Sequence, residues 1–174
     1  MNWPPIRRMP EIVFDCCVIS NFAFADSLPL LQALYGGRAV ITGFVGAEIM
    51  RGVQAGHLEL VRVQNAVKAG WLTEISPGQD NERSLFERLS VSLGLGEASS
   101  IAVAKTRMLV FACDDKAARR EAGLLGVKLT GTIGILKRAV REKPVSPKEG
   151  DRLLEIMRAH GYYAGVRSLR DIPD

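Results

Sequence analysis

The chain has 174 residues, 47% of them hydrophobic, enough for one domain with a full core, and it carries no repeat period or low-complexity tract. Its 23 Lys and Arg against 19 Asp and Glu give a formal charge of +4 spread along the sequence, which suits a polyanionic partner such as nucleic acid without demanding one. Three cysteines, two of them adjacent at Cys16 and Cys17, form neither metal-ligand spacing nor a disulfide framework and point to a reducing cytoplasm; no signal peptide and no membrane span is expected, since nowhere do about 18 apolar residues run together.

Residues 1–10, rich in proline, read as an irregular lead-in to a single domain that spans 1–174. Glu11 to Phe14 is a short apolar strand that runs into Asp15, and Val18, Ile19, Phe22 and Phe24 begin a helix behind it. Ser27 is a cap candidate for a helix with Pro29 in its first turn, stopped by Gly36-Gly37. Arg38 to Thr42 is a second strand, and Val45, Ile49 and Val53 mark a helix that carries Glu48. Helical period continues through 57–70, Trp71 to Ile75 alternates as a strand, 76–81 is a loop, and 82–93 is an amphipathic helix. Gly94 and Gly96 break that helix and Glu97 opens the next. Met108 to Ala112 is the central strand, emptying into Asp114-Asp115. A helix over 116–123, a strand at Val127 to Leu129 and a helix from Gly131 follow, ended by Pro144. A last helix begins at a Ser146 cap, opening a helical extension over 146–174 whose Leu153, Leu154, Ile156 and Met157 are assigned to core packing ahead of an interface. Strand and helix alternate throughout, so the expected architecture is an α/β fold: a three-layer α/β/α sandwich with a mainly parallel central sheet.

In such a sheet the strand C-termini face one crevice, where residues distant in sequence converge. Asp15, Glu48, Glu97, Asp114 and Asp115 all stand at element ends. Carboxylates that share a pocket repel one another, and a hard divalent cation with oxygen ligands, Mg²⁺ or Mn²⁺, relieves them. Such a centre activates water and stabilises phosphoryl oxygens, and Lys116, Arg119 and Arg120 beside it would hold a phosphodiester backbone. Simpler roles compete. Glu97 suits the first turn of any helix, Glu48 has Arg51 on its own face, and one of Asp114 and Asp115 suits a helix cap.

The segments EIVFDCCVISNFA, FVGAEIM, GLGEASSIAVA and FACDDKAARREAGLLGVKLTGTIGIL, in that order over roughly 11–165, resemble PIN-domain proteins, the fold of VapC-type toxin ribonucleases, in a branch with GEA, DDKxAR and GTxGIL signatures. The resemblance implies a metal-dependent endoribonuclease with Asp15, Glu48 and Glu97 as the first three metal-binding acids. It places the fourth in the Asp114-Asp115 pair, with Asp115 the better match. Asn21 and Thr132 resemble polar residues near the site, and an RNA substrate, a homodimer and an antitoxin protein are the implied partners. Cys17 and Cys113 depart from the polar residues usual at those places and read as small buried hydrophobes. That departure leaves open a second reading, a catalytically weak or inactive PIN-like module that binds RNA or a protein partner. No strand-GxGxxG-helix unit supports dinucleotide binding, Cys17 stands where an aspartyl phosphotransferase needs its second Asp, and His57 and His160 lie in no hydrolase motif.

Overall fold

The computed structural model describes residues 11–172; the expected lead-in over 1–10 lies outside them. Five short strands, β1 Ile12–Phe14, β2 Ala39–Thr42, β3 Leu72–Ile75, β4 Val110–Ala112 and β5 Leu129–Thr130, pair in the order β3-β2-β1-β4-β5, all parallel. Between and after them run α1 Cys16–Phe24, α2 Leu28–Tyr35, α3 Gly43–Gln54, α4 Val61–Lys68, α5 Asp80–Leu89, α6 Leu95–Arg107, α7 Lys116–Leu124, α8 Thr132–Arg141 and α9 Pro147–Ala159. No helix among the described residues is long and apolar enough to cross a membrane.

The pleat of the central strands divides the core in two. Ile12, Phe14, Ile41 and Ala112 face one side, where Val18, Ile19 and Phe22 of α1, Leu31 of α2, Ile135 and Leu136 of α8 and Leu154 and Met157 of α9 cover them. Val13, Val40 and Phe111 face the other, against Ala98, Ile101 and Val103 of α6 and Ala118 and Ala122 of α7. A strand buried on both faces has no polar side, which is why β1 and β4 read as unbroken apolar runs. Each large side chain so buried contributes about 1.5–3 kcal/mol. The expected layers and parallel sheet are what forms, and α9 packs into the core.

From the central pair the chain proceeds outward in opposite directions, β1 to β2 and β3 on one flank and β4 to β5 on the other. Such a reversal opens a crevice beyond the strand C-termini. Asp15 and Cys113 are the first residues past β1 and β4, and the Asp15 N–H still donates to the Ala112 carbonyl at 2.9 Å.

Several boundaries differ from expectation. Gly96 does not break a helix: α6 starts at Leu95, with Gly94 as its N-cap and Glu97 in the third helical position, returning a carboxylate oxygen to the Gly94 N–H at 3.3 Å. Met108 lies outside β4, in a left-handed conformation (φ 56°) that ends α6. The helix expected over 82–93 runs Asp80–Leu89, opened by a Glu82 capping box. Residues 58–60 are a 3₁₀ turn ahead of α4. The strand expected at Val127 shifts to Leu129–Thr130 because α7 extends to Leu124 and the turn comes at Gly126 (φ 73°). Ser27 makes no side-chain cap; its hydroxyl donates instead to the Phe22 carbonyl at 3.1 Å. Ser146 caps α9 as expected, in reciprocal bonds with Glu149 at 3.2 and 2.8 Å.

Candidate metal centre

Asp15 is the N-cap of α1: the chain leaves β1 extended (φ −74°, ψ 158°), and one carboxylate oxygen accepts from the Cys17 N–H at 3.4 Å. The position is 2% exposed. Burial first, then the charges of Glu97 and Glu48, push its carboxyl up to about 6, against the backbone N–H groups of Cys16 and Cys17 that favour its ionised form. None of the described ion pairs reaches Asp15, Glu48, Glu97, Asp114 or Asp115. A buried carboxylate without a cation is costly, and that is the observation on which a metal fits.

Glu97 stands in the first turn of α6, and it too is pushed up, by burial and then by the Asp115 and Glu48 charges, with the Gly94 N–H opposing. Glu48 reaches the same place from α3 because α3 and α6 approach at a glycine. A Cβ built on Gly96 would meet the Glu48 Oε1 at 2.7 Å and Oε2 at 2.9 Å. Two fully buried hydroxyls hold this approach. Thr42 ends β2, caps α3 by accepting from the Val45 N–H at 3.3 Å, and bonds Ser99 Oγ at 2.8 Å, while Ser99 donates to the Gly96 carbonyl at 2.9 Å. The Glu48–Arg51 pair weighed from sequence is absent from the described ion pairs.

Beyond β4 the pleat separates three consecutive residues. Cys113 turns toward the α6 face, fully buried, with Sγ 3.8 Å from Asp15 Oδ2. Asp114 turns the other way. Its Oδ2 accepts from Thr132 Oγ1 at 2.6 Å and Asn21 Nδ2 at 3.4 Å, and its Oδ1 from the Thr132 N–H at 3.0 Å. Asn21 also donates to Thr132 Oγ1 at 3.0 Å. Asp115 is exposed and caps α7 by accepting from the Ala118 N–H at 2.9 Å. Among the described residues, Asp15, Glu97 and Cys113 form the group whose donor atoms lie within 4.8 Å of one another. Glu48 and Asp115 border that group through their charges on Glu97, and Asp114 stands outside it.

The cations divide by role. Arg119 Nη1 donates to the Cys113 and Thr130 carbonyls, both at 2.7 Å, so this guanidinium braces the two loops. Lys116 and Arg120 are exposed on α7. Sequence reasoning did not single out Cys113 as a donor, the Thr42–Ser99 pair, or Tyr162, whose hydroxyl is held protonated by burial and then by the Asp114 charge, opposed by a hydrogen bond to Thr132. Cys113 is buried as expected of a small hydrophobe, whereas Cys17 is exposed.

A family model described as a PIN domain matches residues 11–172. No curated protein matches the chain.

Proposed function

The chain belongs to the PIN-domain family, and from that premise we propose that it is a divalent-metal-dependent endoribonuclease of the VapC toxin type, using Mg²⁺ or Mn²⁺ to hydrolyse RNA phosphodiesters. PIN domains are in general metal-dependent nucleases. The observation that carries the reading is the buried Asp15 carboxylate, which none of the described ion pairs reaches, with a Glu97 donor atom inside 4.8 Å.

In this reading Asp15 and Glu97 hold the cation, Glu48 reaches it across Gly96, and Asp115, with Asp114 as the alternative fourth acid, completes the acidic wall. The bound cation supplies activation of water and offsets charge on phosphoryl oxygens. Asn21 and Thr132 fix the Asp114 carboxylate through three hydrogen bonds and border the substrate path. Lys116 and Arg120, exposed on the first turns of α7, with Arg120 also 3.7 Å from Glu121, lie along the phosphodiester backbone, while Arg119 ties the Cys113 and Thr130 carbonyls together beneath them. Likeness to the family alone extends the reading to a cytoplasmic homodimer and an inhibitory antitoxin.

The test is cleavage of end-labelled single-stranded RNA by the purified chain with Mn²⁺. Wild type cuts and stops cutting when the metal is chelated; Asp15→Asn and Glu97→Gln do not cut, yet keep native circular dichroism. A wild type that binds RNA without cutting it at any metal concentration overturns the nuclease in favour of a binding module.

A further inference from the structure

We propose that Cys113 is a sulfur ligand of this centre, and that it shifts the metal preference of the site away from Mg²⁺ toward Co²⁺ and Zn²⁺. The inference rests on the metal reading above and adds to it the identity of the third donor.

Three observations converge. The pleat at the end of β4 sends Cys113, fully buried, onto the face that Glu97 shares, and Sγ comes to 3.8 Å from Asp15 Oδ2. Sulfur and two carboxylate oxygens lie within 4.8 Å of one another, a span that ligand bonds of about 2.0–2.3 Å close with small side-chain adjustments. The carboxylates that follow are engaged elsewhere, Asp114 by Thr132 and Asn21 and Asp115 by the Ala118 N–H. The third donor position beside Asp15 and Glu97 is thus occupied by a thiol.

In the metal-free protein the Cys113 S–H points its hydrogen at Asp15 Oδ2. A cation entering between them replaces that hydrogen: the S–H bond breaks, the proton leaves to solvent, and a sulfur–metal bond forms with no electron transferred. Magnesium demands oxygen ligands and gains little from sulfur, whereas later divalent ions gain progressively more.

The experiment is optical titration of the metal-free full chain with Co²⁺ under anaerobic conditions. Wild type develops visible ligand-field bands together with a near-ultraviolet sulfur-to-cobalt charge-transfer band. Cys113→Ser keeps the visible bands and loses the charge-transfer band. In competition, Cys113→Ser weakens Co²⁺ binding by at least about tenfold and leaves Mg²⁺ binding within about twofold. Should Cys113→Ser fail to fold, Cys113→Ala, judged first by circular dichroism, replaces it. Visible bands without a sulfur band in wild type, or a sulfur band that survives in the Cys113 variants, overturn the proposal while leaving an oxygen-ligated metal site standing. If Co²⁺ does not bind at all, the metal reading fails with it.

Discussion

The Glu48 carboxylate lies across Gly96, closer than any side chain at that position would allow: an added Cβ falls 2.7 Å from Oε1. Gly96→Ala therefore moves Glu48 away from Glu97. Alanine favours the helix by up to about 1 kcal/mol over glycine, and the atoms it displaces are the far end of a flexible chain. The expected variant is as stable as wild type or slightly more so, yet binds Mn²⁺ roughly tenfold more weakly. Thermal melting beside metal titration checks this, and an unchanged metal affinity would show that Glu48 takes no part.

Burial above all pushes the Asp15 carboxyl from its ordinary 3.8 up to about 6. Between those values the folded protein holds more protons than the unfolded chain, so stability falls as pH rises through that window and the penalty is complete at neutral pH. Asp15→Asn removes an ionised buried group and is expected to stabilise the metal-free protein at pH 7 by about 2–3 kcal/mol. The gain should shrink toward zero near pH 4. Added Mn²⁺ should raise the melting temperature of wild type and leave the variant where it was. A destabilised Asp15→Asn would mean that this carboxylate already has a compensating partner.

Thr132 is fully buried and gives Asp114 both its N–H and its hydroxyl. Thr132→Val retains the shape and the N–H but takes the 2.6 Å hydroxyl bond from Asp114 Oδ2, leaving that oxygen and the Asn21 amide only their 3.4 Å bond to each other. Urea denaturation should register a loss of about 1–3 kcal/mol. Asn21→Ala, which removes only the longer bond to Asp114, should lose less; the reverse order would make the Asn21 amide the main support of that carboxylate.

Far from the crevice, Glu82 joins α5 to α6. Its side chain is wholly buried, accepts from Arg107 Nε at 2.6 Å and Nη2 at 3.0 Å, and takes the Gly78 and Gln79 N–H groups at 2.8 and 3.2 Å. The Arg107 hydrogen bonds, ahead of the opposing effect of burial, pull its carboxyl from 4.5 down to about 2. A lowered carboxyl stabilises above its unfolded value, so this contribution is present at neutral pH and is lost as pH falls from about 4.5 toward 2. Glu82→Gln is expected to cost about 2–3 kcal/mol at pH 7 and to flatten the acid limb of the stability profile. A variant whose acid limb is as steep as that of wild type would assign the effect to other groups.

The layers and the parallel sheet are readable in one dimension because apolar strands alternate with segments of helical period, and Asp15 stands out because it directly follows one of those strands. What fails to read out are features decided between elements. Gly96 looks like a helix breaker in sequence, but its missing Cβ serves the contact with Glu48 on another helix. The CDD triplet shows three polar or small residues in a row, and only the pleat of β4, which starts at Val110 rather than at Met108, decides that Cys113 rather than Asp114 faces Asp15. Arg119 looks like a phosphate ligand in sequence, but the pairing of β4 with β5 brings the Cys113 and Thr130 carbonyls to its guanidinium. Tyr162 arrives at Thr132 from beyond α9, a contact for which no local pattern exists.

The central strand has neighbours of very different ages during synthesis: Ile12 pairs with Ala39 on one side and with Val110 on the other. A chain leaving the ribosome N-terminus first carries Asp15 and Glu48 long before the strand that walls the crevice has emerged. Assembly of the acidic centre therefore waits until β4 has emerged, in the second half of translation.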